Sequence, residues 1–227
     1  MTQKEKRKQA GFSLLELMIA MTVMLMLLAV VSQLLSGAMS VRARESRKTD
    51  ALTSAQAALN ILSREISNAG YGIGTCAVAD CSVMTGNNGI ILADSNANRL
   101  HFRANLSNTG PRTVPSGSTV MDTNLPNEDV TYFFDAATDS IVRFDPHGSP
   151  QTSVVVNKIS NVTFSYYNYS GSSSTPTVTT TPTANTGRVR ITVTVQLDPV
   201  VGQPDNATVT FTSEVTLRNV EYMLRQY

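Results

Sequence analysis

The stretch Phe12-Ser13-Leu14-Leu15-Glu16-Leu17-Met18-Ile19-Ala20 decides the fold, because it opens an apolar run whose only charge up to Met39 is Glu16. From Leu17 to Val31 the single polar side chain is Thr22. About 20 apolar residues carry a helix across a bilayer, and this run with its flanks is long enough. A helix in a soluble core would show a polar face, and none begins before Ser32 and Gln33. Ahead of the run stand Lys4, Lys6, Arg7 and Lys8 against Glu5 alone. The first expectation is therefore a membrane-spanning helix near the N terminus, with a basic head.

A secretory signal peptide has a similar layout: a basic start, an apolar middle and a small-x-small cut site, for which Ser36 and Ala38 would serve. Two features oppose it. Glu16 sits at the head of the apolar run, where such a peptide gains nothing from an acid. Ala10 and Gly11 also place small residues upstream of the run, so a cut there keeps the helix.

The basic leader ending in Gly11, followed by Phe12-Ser13-Leu14-Leu15-Glu16, resembles the class III signal of type IV pilins and type II secretion pseudopilins. The resemblance implies cleavage by a prepilin peptidase between Gly11 and Phe12, and N-methylation of the new Phe12 amine. It also implies that Glu16 sets the assembly register by meeting the Phe12 amine of a neighbouring subunit. The physical reading agrees: a carboxylate at a helix centre in lipid costs roughly 2.5–3.5 kcal/mol on insertion scales, so it seeks a partner. Many pilins carry a Pro about two-thirds along this span; here Ser32, Gln33, Ser36 and Gly37 occupy that region, and Gly37 would permit local melting.

Orientation does not follow from charge alone, because Arg42, Arg44, Arg47 and Lys48 follow the span and both ends are basic. The cysteines and the long domain after the span favour a single pass, with the C-terminal head in the periplasm. The expected location is the inner membrane and then the extracellular filament.

Beyond Val41 the pattern turns amphipathic. Leu52, Ala55, Leu59, Leu62, Ile66 and Ala69 are spaced 3, 4, 3, 4, 3, a helical stripe that predicts packing on a downstream sheet. Gly70 and Gly72 end it. A helix continuous from Phe12 to Ala69 would be about 87 Å long. The expected organisation is a leader at 1–11, a membrane and filament-core helix at 12–40, an amphipathic helix at 41–72 and a β-rich head at 73–227. The fold class is α+β: a long N-terminal helix on an antiparallel sheet.

Cys76 and Cys81 offer at most two metal ligands, with no His nearby, so a disulfide is expected rather than zinc. Strands are predicted at Gly89–Ala93, Arg99–Arg103, Asp129–Phe134, Ser140–Phe144, Ser153–Val156, Val162–Tyr169, Arg188–Leu197 and Val209–Leu217. Clean alternation puts Val189, Ile191, Val193, Val195 and Leu197 on one face of a half-buried strand. The Asp94-x-Asn96-x-Asn98 spacing resembles the start of a calcium loop but lacks its central Gly and distal Glu. Residues 170–186, rich in Ser, Thr, Pro and Gly, are expected to form a long mobile loop.

Several pieces resemble PilW-like minor pilins and the related GspJ-like pseudopilins. They are Leu62-Ser63-Arg64-Glu65-Ile66 with Ala69-Gly70-Tyr71-Gly72, the Val130–Phe144 hairpin, Ile159 to Tyr167, and Thr216-Leu217-Arg218-Asn219. The resemblance implies a minor pilin that helps initiate a type IV pilus or joins its tip. The alternatives are a minor pseudopilin of a type II secretion system and a secreted binding protein with an ordinary signal peptide. The implied partners are prepilin peptidase, other minor and major pilins, and the inner-membrane assembly platform.

Composition narrows the rest. The 227-residue chain has a net charge of +1 and no Trp. Losing the first eleven residues takes Lys+Arg from 18 to 14 and Asp+Glu from 17 to 16, leaving −2. No basic footprint for nucleic acid remains. With His101 and His147 far apart in the chain and no clustered acid, base or nucleophile, neither an enzyme, a cofactor nor a metal is expected.

Overall fold

The computed structural model describes residues 13–73, 89–107, 123–170, 175–197 and 207–219. The leader, Gly11, Phe12, Cys76 and Cys81 lie outside the described residues. The chain divides into two compact units between Ser46 and Arg47.

The first unit holds the apolar part of helix α1, which runs from Leu14 to Ile66. Its first turn closes where the Leu17 N–H donates to the Ser13 carbonyl at 3.1 Å. Leu, Met and Ala dominate this part, and these are strong helix formers. The helix passes through Gly37 without interruption, so the melting that Gly37 would permit does not occur.

The second unit begins at Arg47 and contains the rest of α1 with, among the described residues, eight strands. Here α1 buries Ala51, Ala55, Ala58, Leu59, Leu62 and Ile66. The expected stripe is largely right, but Leu52 turns outward and is 37% exposed. Ala51 and Ala58 join the expected Ala55 in the buried stripe, so small residues carry its first half. The helix also ends three residues earlier than Ala69, although Ala69 stays fully buried. Past Ile66 the chain runs in turns, and Gly70 and Gly72 adopt left-handed φ of 79° and 66° beyond the helix end rather than at it. The Gly70 N–H then donates to the Arg103 carbonyl (2.9 Å), tying the helix exit to a strand end. Gly89 packs so closely that a Cβ there would lie 2.0 Å from the Gly70 nitrogen.

The single expected sheet is two. The first comprises β1 (Arg99–Arg103), β2 (Asp129–Asp135), β3 (Ser140–Phe144) and β4 (Thr152–Asn157), antiparallel in the order β1-β2-β3-β4. The second comprises β5 (Asn161–Asn168), β6 (Thr177–Thr179), β7 (Thr186–Gln196) and β8 (Thr208–Thr216), in the order β6-β5-β7-β8. Inward residues of both sheets and the α1 stripe form one core, in which Leu62, Ile66, Leu100, Tyr132, Ile141, Phe164, Tyr166 and Ile191 are fully buried. The alternation expected in β7 holds: Val189, Ile191, Val193 and Val195 are buried, while Arg188, Arg190, Thr192 and Thr194 alternate with them on the other face.

Two expectations fail. Gly89–Ala93 is not a strand: Ile90 makes only an isolated bridge to Phe102, and Leu92–Asp94 forms a 3-10 turn. That turn swings Asp94 toward Arg99 and His101, which bind its carboxylate at 3.0 and 2.8 Å. The same contacts occupy the acid that would begin a calcium loop. Residues 170–186 do not form one structureless loop either. Within them Thr177–Thr179 pairs with Tyr166–Asn168 as β6, and Thr186 Oγ1 donates to Asn168 Oδ1 at 2.5 Å.

Candidate functional site

Between Glu16 and Arg42 the helix carries no ionisable side chain. Its large apolar side chains from Leu14 to Val41 are all more than half exposed, and they surround the helix on every side. A soluble protein does not leave so continuous an apolar surface in water. The helix is long and apolar enough to cross a membrane. Two of its hydroxyls bond back to the helix itself: Thr22 Oγ1 donates to the Met18 and Ile19 carbonyls (3.2 and 2.8 Å), and Ser40 Oγ to the Gly37 carbonyl (2.8 Å). Glu16 is the one acid of this segment up to Val41. It stands in the first turn, where a helix N terminus favours an acid. Phe12 and Gly11, expected to flank the cut, lie outside the described residues, as do Cys76 and Cys81.

In the head, three polar clusters escaped the sequence reading, because each joins residues far apart in the chain. In the first, the His101 ring lies between two acids, Nδ1 at 2.8 Å from Asp94 and Nε2 at 2.5 Å from Asp129. Arg103 Nε donates to the other Asp129 oxygen at 2.9 Å. Burial raises the Asp129 pKa, but the His101 hydrogen bond and the Arg103 charge outweigh it and hold the carboxyl below its ordinary range. Nearby Ser95 bonds the His101 backbone and not its ring. Both ring nitrogens are already engaged, so the imidazole serves as a brace rather than a base or ligand. Among the described residues no group of three His, Cys, Asp or Glu is placed to hold a metal.

The second cluster fastens α1 to the first sheet. Glu65 Oε2 accepts from the Tyr132 hydroxyl (2.6 Å) and from Arg143 Nε (3.0 Å). Burial, and then the Glu65 carboxylate, push the Tyr132 phenol far above its usual pKa, so it remains a donor.

The third lies on the outward face of the second sheet. Glu214 Oε1 accepts from the Tyr167 hydroxyl and Arg190 Nη2, both at 2.7 Å, and Arg188 donates to Oε2 at 3.1 Å. Both guanidinium carbons stand over the Tyr167 ring, 5.5 and 5.1 Å from its centroid. They explain why an outward Tyr is only 6% exposed. The Tyr167 hydrogen bond, followed by that from Arg190, draws the Glu214 pKa down to about 2.

These three clusters hold the head together, and the apolar helix is the feature that calls for a function outside it. The family model of the prokaryotic N-terminal methylation motif matches residues 6–32. Searches of curated proteins and of solved structures found no match. The matched motif belongs to a structural class rather than a catalytic one, and it brings prepilin peptidase processing and a pilin assembly context with it. The chain thus carries the prokaryotic N-terminal methylation motif at the head of a membrane-length helix, a pairing that supports a type IV pilin-like or pseudopilin protein.

Proposed function

We propose that this chain is a minor pilin that helps initiate a type IV pilus or is incorporated at its tip. The observation that carries the reading is the pairing of the methylation motif at residues 6–32 with an unbroken apolar helix whose single acid, Glu16, stands in its first turn. Prepilin peptidase cuts between Gly11 and Phe12, and the Phe12 amine is methylated. The chain waits in the inner membrane as a single-pass protein with its head in the periplasm. The helix then leaves lipid for a bundle of like helices, where packing offsets the cost of extraction. In that bundle Glu16 meets the Phe12 amine of a neighbour and fixes the axial register, since a buried acid needs a cation. Cys76 and Cys81 close a disulfide in the oxidising compartment.

Glu16→Ala is expected to leave insertion and cleavage intact while reducing incorporation. Equal amounts of the variant and the native chain in sheared filaments would overturn the role of Glu16. Mass spectrometry of the mature N terminus tests the processing. A chain starting at methyl-Phe12 supports it, and one starting at Met39 identifies a secreted protein instead. Neighbours captured by crosslinking in the assembled machine separate a pilus subunit from a pseudopilin of a secretion system.

A further inference from the structure

The two sheets have four edges, and three of them are closed by recognisable devices. At β1, residues 89–96 lie along the edge: Ile91 N–H donates to the His101 carbonyl, Arg103 N–H to the Gly89 carbonyl and Asn96 N–H to the Arg99 carbonyl, at 2.8–2.9 Å. β6 is three residues long and stands between Pro176 and Pro182. β4 follows Pro150, pairs with β3 through a register shift at Ile141/Val142, and ends at Asn157 beside Lys158. Short strands, prolines, bulges and lysines are how natural sheets prevent unwanted pairing.

The fourth edge, β8, has none of these. Thr208–Thr216 is nine residues long, pairs with β7 in unbroken register, and contains no Pro, Gly or Lys. Its one charge, Glu214, is already engaged by Arg188 and Arg190. Leu197 N–H donates to the Ala207 carbonyl, and Leu217 N–H to the Gly187 carbonyl. In an antiparallel ladder these bonds fix which residues face the partner strand. Residues 209, 211, 213 and 215 therefore bond β7, and Thr208, Thr210, Thr212, Glu214 and Thr216 turn their N–H and C=O groups to the open side. No described residue bonds these groups.

We infer that the open edge of β8 is an assembly surface, to which an extended strand from another pilin-like subunit adds by backbone hydrogen bonding. Donors and acceptors that recur every second residue, at about 3.4 Å rise per residue, are matched by an extended polypeptide and by little else. The inference rests on the filament reading for the source of that strand. Side chains on the open rim are uncharged threonines apart from the neutralised Glu214, so nothing there repels an incoming chain.

Thr212→Pro tests it in the full-length chain. The ring removes one outward N–H and spares the β7 ladder, and edge strands tolerate proline at such positions. Thr212→Val keeps the N–H. Crosslinking in the assembled machine is expected to lose about tenfold or more of the product with other subunits in Thr212→Pro, and to lose none in Thr212→Val. If Glu16→Ala lowers incorporation while Thr212→Pro leaves the crosslinks unchanged, the filament reading stands and strand addition is overturned. A folding defect in Thr212→Pro moves the test to the unsubstituted chain, through amide exchange at the five outward residues. Slow exchange only after assembly supports the inference. Equal exchange before and after overturns it, and so does protection already present in the isolated full chain in detergent, because the chain would then cover its own edge.

Discussion

Two parts of one helix, α1, meet opposite conditions. From Leu14 to Val41 its large apolar side chains are exposed all round, and none of its most apolar window is buried. From Arg47 to Ile66 it buries one stripe, and Gln56, Asn60 and Arg64 stay in water. Both parts are helical by the same backbone rules. What differs is the period of the apolar pattern, and the period reports the surroundings: uniform greasiness demands a uniform solvent, and a stripe demands a wall.

The strongest way to break that contrast is to cut the same residue type in each part. Leu62→Ala, fully buried, is expected to destabilise the head by about 2–5 kcal/mol. Leu28→Ala, 55% exposed, is expected to leave head unfolding within about 0.5 kcal/mol. Denaturant melts of both variants in detergent check this, and equal losses would deny the division at Arg47.

A smaller effect sharpens how the wall is fastened. Glu65→Ala leaves the Tyr132 hydroxyl and the Arg143 guanidinium without their shared acceptor, for an expected loss of about 2–3 kcal/mol. Adding Tyr132→Phe removes one orphan and is expected to recover part of it. A double variant as unstable as the sum of the singles would show that the three do not act together.

The smallest effect concerns acid. The Glu214 pKa falls from 4.5 to about 2 in the folded head, so its stabilisation is complete above about pH 4.5 and disappears as pH drops toward 2. Glu214 is half-exposed, and solvent screens its pairs, so the change is modest. Glu214→Gln is expected to flatten this part of the stability profile and leave the rest parallel. A variant with an unchanged slope between pH 4.5 and 2 would refute the assignment.

Much of the fold was legible because its signals are local. Periodicity located α1 and strands β1, β2, β3, β5, β7 and β8, since alternation over five or more residues needs no knowledge of the partner. Leu52 was misplaced because its neighbours in the contact, beside the expected Ala55, are Ala51 and Ala58, whose small side chains give little hydrophobic signal. Gly89–Ala93 reads as a strand in isolation. Its end curls into a 3-10 turn that brings Asp94 to Arg99 and His101, and no period in the pattern announces that turn. β6 is too short to alternate and exists because β5 offers a ladder. The clusters around Glu65, Asp129 and Glu214 join residues 24 to 78 positions apart, a separation that no motif encodes.

The hydroxyls of Thr22 and Ser40 turn back on their own helix and offer no free donor to whatever lies beside them. At those two points the rod is indifferent to whether hydrocarbon chains or other rods press against it. The one charge in that stretch that registers the exchange is the acid at its tip.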